Sequence, residues 1–405
     1  MELTFEKILE TSNKLKGSII NTPFVKANKL SSRFNSDIFL KLENLQLTSS
    51  FKARGAYNAI KKHTLKEPNN GIITMSAGNH AQAVAYFANK LKVPSIIIMP
   101  EQAPFSKVSR TKELGANVIL KGRTLNETTD YVNTLAKEKN LKLIHPYDDY
   151  DVISGQGSIG IEIFEKIKDL DCMVIPIGGG GLISGISIVA KKINPKIKIF
   201  GVESDLYPSN FNKFKNKNLS CFGDTIADGI AVKKPGKKTF PIIKNNVDDI
   251  ILVNDISIEN TISDLFEHER IISEGAGAVG VTAIIENLSL FKNKNVCSII
   301  CGGNIDSRIY AGILNKKLSR DGRLARIRIG ITDEPGMLSR ISNAIASNGG
   351  NIIEIYHQRM FHDVPVKKAK IDAVIEAQSI KNINEIISTL RNENFEVRII
   401  NETSN

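Results

Sequence analysis

Between residues 71 and 303 the chain alternates short, unbroken apolar runs with longer stretches of helical spacing. The runs are GIITMS (71–76), PSIIIMP (94–100), NVIL (117–120), CMVIPI (172–177), KIFGVE (198–203) and VCSIICGG (296–303). A strand that is apolar along its whole length is buried on both faces, so these read as parallel strands covered by helices. Segments such as SKVSRTKELGA (106–116), TLNETTDYVNTLAKEKN (124–140) and GLISGISIVAKKI (181–193) supply the helices. Alternation of this kind predicts βαβ units and an α/β fold with open parallel sheets.

The pattern changes near residue 316. NKKLSRDGRLA (315–325) is charged and reads as a linker, and RIRIGIT (326–332) then alternates like a half-exposed strand. In DEPGMLSRISNAIASNGG (333–350), Asp333 can cap a helix whose apolar face is Met337, Leu338, Ile341 and Ile345; Gly349 and Gly350 end it. NIIEIYHQ (351–358) and KKAKIDAVIEA (367–377) read as a pair of strands, IKNINEIISTLR (380–391) as a helix and FEVRII (395–400) as a last strand. The order is βαββαβ, a ferredoxin-like unit.

A length of 405 residues accommodates two or three domains. The formal charge of +11 raises the question of a nucleic-acid partner. Its lysines are scattered, with no basic block and no interleaved aromatics, so no nucleic acid is expected. The cysteines, Cys172, Cys221, Cys297 and Cys301, form no CxxC pair and no zinc-ligand spacing. No metal site of that kind is predicted, and free thiols fit a reducing compartment. MELTFEKILE (1–10) lacks the basic and apolar regions of a signal peptide, and no run reaches membrane-spanning length. The expected place is the cytoplasm, with no membrane partner.

Four stretches carry chemistry. IGGGGLISG (177–185) ends a strand and opens a helix, where converging N–H groups and the helix dipole favour an anion, most naturally a phosphate. Gly179, Gly181 and Gly185, with Glu203 ending the next strand, also leave a dinucleotide site open. MSAGNHAQ (75–82) places Ser76, Ala77, Gly78, Asn79 and His80 at another helix start, suited to a carboxylate; His80 by itself reads as readily as a packed core histidine. CGGN (301–304) lies at the crevice end of a strand, though Cys301 could equally be a plain buried thiol. Lys52, in SFKARG (50–55), becomes reactive only if it is desolvated beside such a cradle.

Together SFKARGA, SAGNHAQ, GGGGL and CGGN resemble the threonine/serine dehydratases among the fold-type II pyridoxal-phosphate enzymes, as do KLENLQ, DVISGQGSIG, TIADGIAV and SEGAGAVG. The tail, with DEPGMLSRI and GGNIIEI, resembles an ACT regulatory domain. The resemblance implies a catalytic domain over 1–315, with a smaller subdomain roughly at 45–150 inserted in it, a linker at 316–323 and an ACT domain over 324–405. It implies that Lys52 carries pyridoxal 5'-phosphate and moves the Cα proton, that Phe51 lies against the ring and that Asn79 bonds its phenolic oxygen. The main chain of Gly178, Gly179, Gly180, Gly181 and Leu182 would cradle the phosphate, Cys301 would face the ring nitrogen, and 76–80 would bind substrate. Glu274 lies near the site in such relatives.

The implied activity is deamination of L-threonine to 2-oxobutanoate, and of L-serine to pyruvate, in isoleucine biosynthesis or threonine catabolism. Serine racemases and β-replacement enzymes share the fold and remain alternatives. Ala77 replaces the second serine of the racemase motif, which argues against racemisation. Ser209 stands where divalent-metal relatives carry an acid six positions beyond Glu203, leaving room only for a monovalent cation held by carbonyls. The ACT resemblance implies a homodimer or homotetramer and an amino-acid effector near Gly336 and Asn351.

Overall fold

The computed structural model describes residues 3–400 apart from 124, 359–364 and 366. The chain divides into two compact units, Met1–Ile305 and Asp306–Asn405. In the first, six strands form a sheet in the spatial order Phe24–Lys26, Asp37–Leu42, Asn295–Ile300, Cys172–Pro176, Lys198–Ser204 and Asp249–Val253. All neighbours pair in parallel except the edge strand Phe24–Lys26. That strand is short and mostly exposed, so no apolar run marks it in the sequence. A second, wholly parallel sheet is made of Asn117–Leu120, Ser95–Met99, Ile72–Met75 and Lys142–Leu143. The fold is α/β with two open sheets, and the chain enters the second sheet after leaving the first at Leu42 and before returning to it at Cys172.

Three helices set the geometry of the crevice: Lys52–Lys66, Tyr150–Phe164 and Gly181–Ile193. They approach more closely than side chains would permit. A Cβ on Gly155 would lie 2.6 Å from the Arg54 carbonyl oxygen, and one on Gly185 would lie 2.6 Å from the Gly157 nitrogen. Backbone against backbone, these glycines draw the helix that begins at Lys52 and the one that begins at Gly181 onto a common partner.

The second unit is an antiparallel sheet in the order Asn351–Gln358, Lys368–Glu376, Leu324–Thr332 and Glu396–Ile399. Helices Met337–Ser347 and Ile380–Asn392 cover one face over a core that includes Ile327, Ile329, Ile371, Ile345 and Leu390. This is the βαββαβ arrangement that the hydrophobic pattern predicts. The unit also contains a leading helix, Ser307–Arg320, so residues 316–320 of the expected linker are helical. Asp306 caps that helix by accepting from the Arg308 and Ile309 N–H groups, and Lys317 pairs with Asp321 one turn on. The charges there belong to a solvated helix face.

Gly336, at φ +92°, precedes the helix Met337–Ser347, beyond the Thr332 end of its strand. Asn351 pairs with Glu376, which pairs with Leu324 at the other end of that strand. Within one copy the two positions therefore lie at opposite ends of the sheet, roughly 25 Å apart by strand rise. Among the described residues no helix is long and apolar enough to cross a membrane.

Candidate active site

Lys52 is placed by a pairing across most of the first unit. The Phe51 N–H donates to the Cys301 carbonyl (3.0 Å), the Gly303 N–H donates to the Ser49 carbonyl (2.9 Å), and Ser50 bridges Gly302. This short ladder continues the strand Asn295–Ile300 and sets Lys52, first residue of its helix, beside Cys301. The half-buried Lys52 Nζ donates to the Pro146 carbonyl at 2.7 Å and lies 5.1 Å from the centre of the Phe51 ring. Desolvation lowers its pKa to about 8, against the opposing pull of the Glu274 carboxyl. Burial pushes the Cys301 thiol well above its usual range, so it is neutral.

Asn79 opens the helix Asn79–Lys90, and Ser76 Oγ accepts the Gly78 N–H at 3.2 Å. The Asn79 Nδ2 donates to Glu274 Oε1 at 2.7 Å. Burial raises the Glu274 carboxyl to about 7, helped by Asp228. Ala77 packs on the neighbouring core. His80 turns away into the protein: its Nε2 lies 3.0 Å from the Ile144 carbonyl, and burial pushes its pKa down to about 3. It is a neutral core histidine, and its ring is not placed to hold a substrate carboxylate.

The glycine loop joins the strand Cys172–Pro176 to the helix Gly181–Ile193, with Gly180 at φ +92°. Its carbonyls are tied outward: Gly178 O accepts from Asn210 Nδ2 (2.9 Å) and Gly179 O from Thr239 Oγ1 (2.7 Å). No hydrogen bond among the described residues takes up the N–H groups of Gly178 to Leu182. Free donors converge there at a helix N-terminus, which suits an oxyanion. Glu203 is buried beneath the loop, accepting from the Asn210 and Phe211 N–H groups and from Asn210 Nδ2. A carboxylate so enclosed cannot reach a ribose in the crevice, which removes the dinucleotide reading.

The loop 145–148 joins the two halves of the site. His145 Nδ1 accepts the Tyr147 and Asp148 N–H groups, Pro146 O holds Lys52, and the Tyr147 ring packs on Gly179. Asp148 accepts the N–H groups of Lys237 and Lys238, next to the Thr239 that ties Gly179.

Residues 15–302 match the family described as pyridoxal-phosphate dependent enzyme, and residues 325–394 match the ACT domain. The chain belongs to the pyridoxal-phosphate dependent enzymes. It is 40% identical over 400 residues to a protein of Thermotoga maritima named L-threonine ammonia-lyase, covering 98% of this chain and 100% of that one. Its fold matches the processed threonine deaminase isoform 2 of Solanum lycopersicum, with a TM-score of 0.71 and 34% identity over 77% of this chain and 89% of that one. It also matches a serine racemase of Dictyostelium discoideum, with a TM-score of 0.70 and 36% identity over 75% and 99%.

The residues of this pyridoxal-phosphate dependent enzyme fit the group. The free N–H groups of the glycine loop answer a phosphate, the depressed Lys52 amine answers an aldehyde, and the neutral Cys301 thiol can face an unprotonated ring nitrogen. The sequence reading missed Pro146, Tyr147, Asp148, Thr239 and Asn210. The polar stretch HPYDDYD (145–151) between a strand and a helix was the available signal. The Gly179→Ala methyl would sit 2.2 Å from the Tyr147 ring. Equilibrium dialysis should find cofactor held about 10–100-fold more weakly, the equivalent of one charge-assisted hydrogen bond; unchanged affinity would remove the loop from the phosphate site.

Proposed function

We propose that this enzyme deaminates L-threonine to 2-oxobutanoate and ammonia, and L-serine to pyruvate, under control by an amino acid bound to its ACT domain. The observation that carries this reading is the Lys52 amine, desolvated and held by Pro146 O between Cys301 and Glu274. The full-length likeness to a relative named L-threonine ammonia-lyase supports the choice of substrate.

When bound, pyridoxal phosphate supplies an electrophilic aldehyde for amines and a ring that takes up the electron pair left at Cα. Gly178 to Leu182 would hold its phosphate, Phe51 and Asn79 its ring and phenolic oxygen, and Cys301 its nitrogen. Ser76 to Asn79 would fix the substrate carboxylate at the start of a twelve-residue helix. Lys52 takes the Cα proton. With a pKa near 8, about a tenth of the amine is neutral at pH 7, roughly 300-fold more than for an ordinary lysine.

Serine racemase is the second reading, since a racemase shares the fold. Ala77 weighs against it, because a methyl group moves no proton on the face opposite Lys52. Incubation with L-threonine should release 2-oxobutanoate, and L-serine recovered part-way should remain the L-isomer. Accumulating D-serine without oxo acid would select the racemase.

The lowered amine pKa also sets a pH dependence. Only the neutral amine attacks an aldehyde, so uptake of pyridoxal phosphate by the cofactor-free protein should quicken with pH and level off above about 8. A rate still climbing toward the ordinary lysine value, about 10.4, would contradict the desolvated site.

A further inference from the structure

We propose that Asn304 and Glu274 are positioning residues that decide which end of the Asn79 amide faces the cofactor ring. The inference rests on the reading that Asn79 meets the phenolic oxygen. The fixed point is the Thr48 carbonyl, which can only accept. Asn304 Nδ2 donates to it at 2.9 Å and gives its second hydrogen to Asn79 Oδ1 at 2.8 Å. The oxygen end of Asn79 is thereby occupied. Its nitrogen end gives one hydrogen to Glu274 Oε1 at 2.7 Å and keeps one free.

Turned over, the Asn79 amide would set its nitrogen against the Asn304 nitrogen, donor against donor, and its oxygen against the Glu274 carboxyl. The Asn304 bond would be lost, and the Glu274 bond with it wherever that carboxyl is ionised, so the Asn304 donor selects the orientation. Glu274 is itself fixed, its N–H donating to the Gly302 carbonyl at 3.1 Å. Gly302 gives the pair room: a Cβ there would lie 2.3 Å from Glu274 Oε1 and 3.1 Å from Asn79 Nδ2. The single free N–H would then be the donor offered to the phenolic oxygen of the bound cofactor, and would favour that oxygen as the anion, with its proton on the Lys52 nitrogen.

That proton's location is visible in the absorption spectrum, as the ratio of the visible to the near-ultraviolet band of the bound cofactor. The ratio is normalised to bound cofactor, so loss of cofactor from the site does not move it. Asn79→Ala should lower it about five-fold, the equivalent of one hydrogen bond. Asn304→Asp should lower it as much, because a carboxylate accepts where Asn304 donates and draws the Asn79 nitrogen toward itself. Simple addition of negative charge would do the reverse, favouring the protonated nitrogen. Asn304→Ala, the variant that decides if the aspartate does not fold, should lower it at least about two-fold.

An unchanged ratio in Asn79→Ala overturns the underlying reading of Asn79. A lowered ratio there, with both Asn304 variants unchanged or raised at full cofactor content, overturns the positioning role alone.

Discussion

Lys52→Ala should lower threonine deamination at least about 1,000-fold, since one side chain supplies both the covalent attachment and the proton transfer at Cα. The fold should survive. Pro146 O, which loses its donor, lies in a half-buried position that water can reach, and the ladder of residues 49–51 with 301–303 is main-chain. The variant should still retain cofactor through the glycine loop, but borohydride should no longer fix it to the protein. A small primary amine added to the variant should restore part of the rate. Residual activity above about a hundredth of wild type would mean that another base takes the Cα proton.

Arg54→Ala should cost about 3–5 kcal/mol of stability, read as a fall in the urea midpoint. Arg54 is fully buried two residues beyond Lys52. It forks onto Glu43 (2.8 and 2.8 Å) and Glu162 (2.6 and 2.8 Å), and Lys41 also reaches Glu162 at 2.6 Å. Glu43 has no exposure at all, so without Arg54 its nearest remaining partner is the Thr22 hydroxyl at 2.5 Å.

In the native protein burial would raise the Glu43 carboxyl, but Arg54 outweighs it and holds the pKa below 4.5. A depressed folded pKa contributes stability above the unfolded value, lost as pH falls through the folded one. Without Arg54 the shift should reverse sign, because burial, the largest cause, is then opposed only by Lys41 and the Thr22 hydroxyl. The deficit of the variant should therefore be largest at neutral pH and should narrow as the pH is lowered through 5 and Glu43 takes up a proton. A deficit independent of pH would mean that lost packing, not the stranded charge, is the cost.

Much of this protein is legible along the chain. The apolar runs mark the buried parallel strands because full burial forces unbroken apolar sequence, and the alternation in RIRIGIT marks a strand with one wet face. The glycine run announces a turn of bare main chain, because only residues without side chains let so many N–H groups crowd around one centre. The helical state of residues 316–320 was not legible because a charged stretch looks alike as a solvated helix face and as coil.

By itself the sequence determined the fold class, the two-part organisation and the reactive types: a lysine before a helix, a glycine cradle, an amide at a helix start and a thiol at a strand end. These follow from local spacing and composition. Only the tertiary structure decided their assembly. Asn79 and Glu274 are 195 positions apart, and Asn304 and Asn79 are 225. It also turned His80 into the core, put Glu203 under the loop and made residues 145–148 the joint between lysine and cradle. Such pairings arise where strands of the two sheets end at one crevice, and how one sheet faces the other is not written in the spacing along any strand.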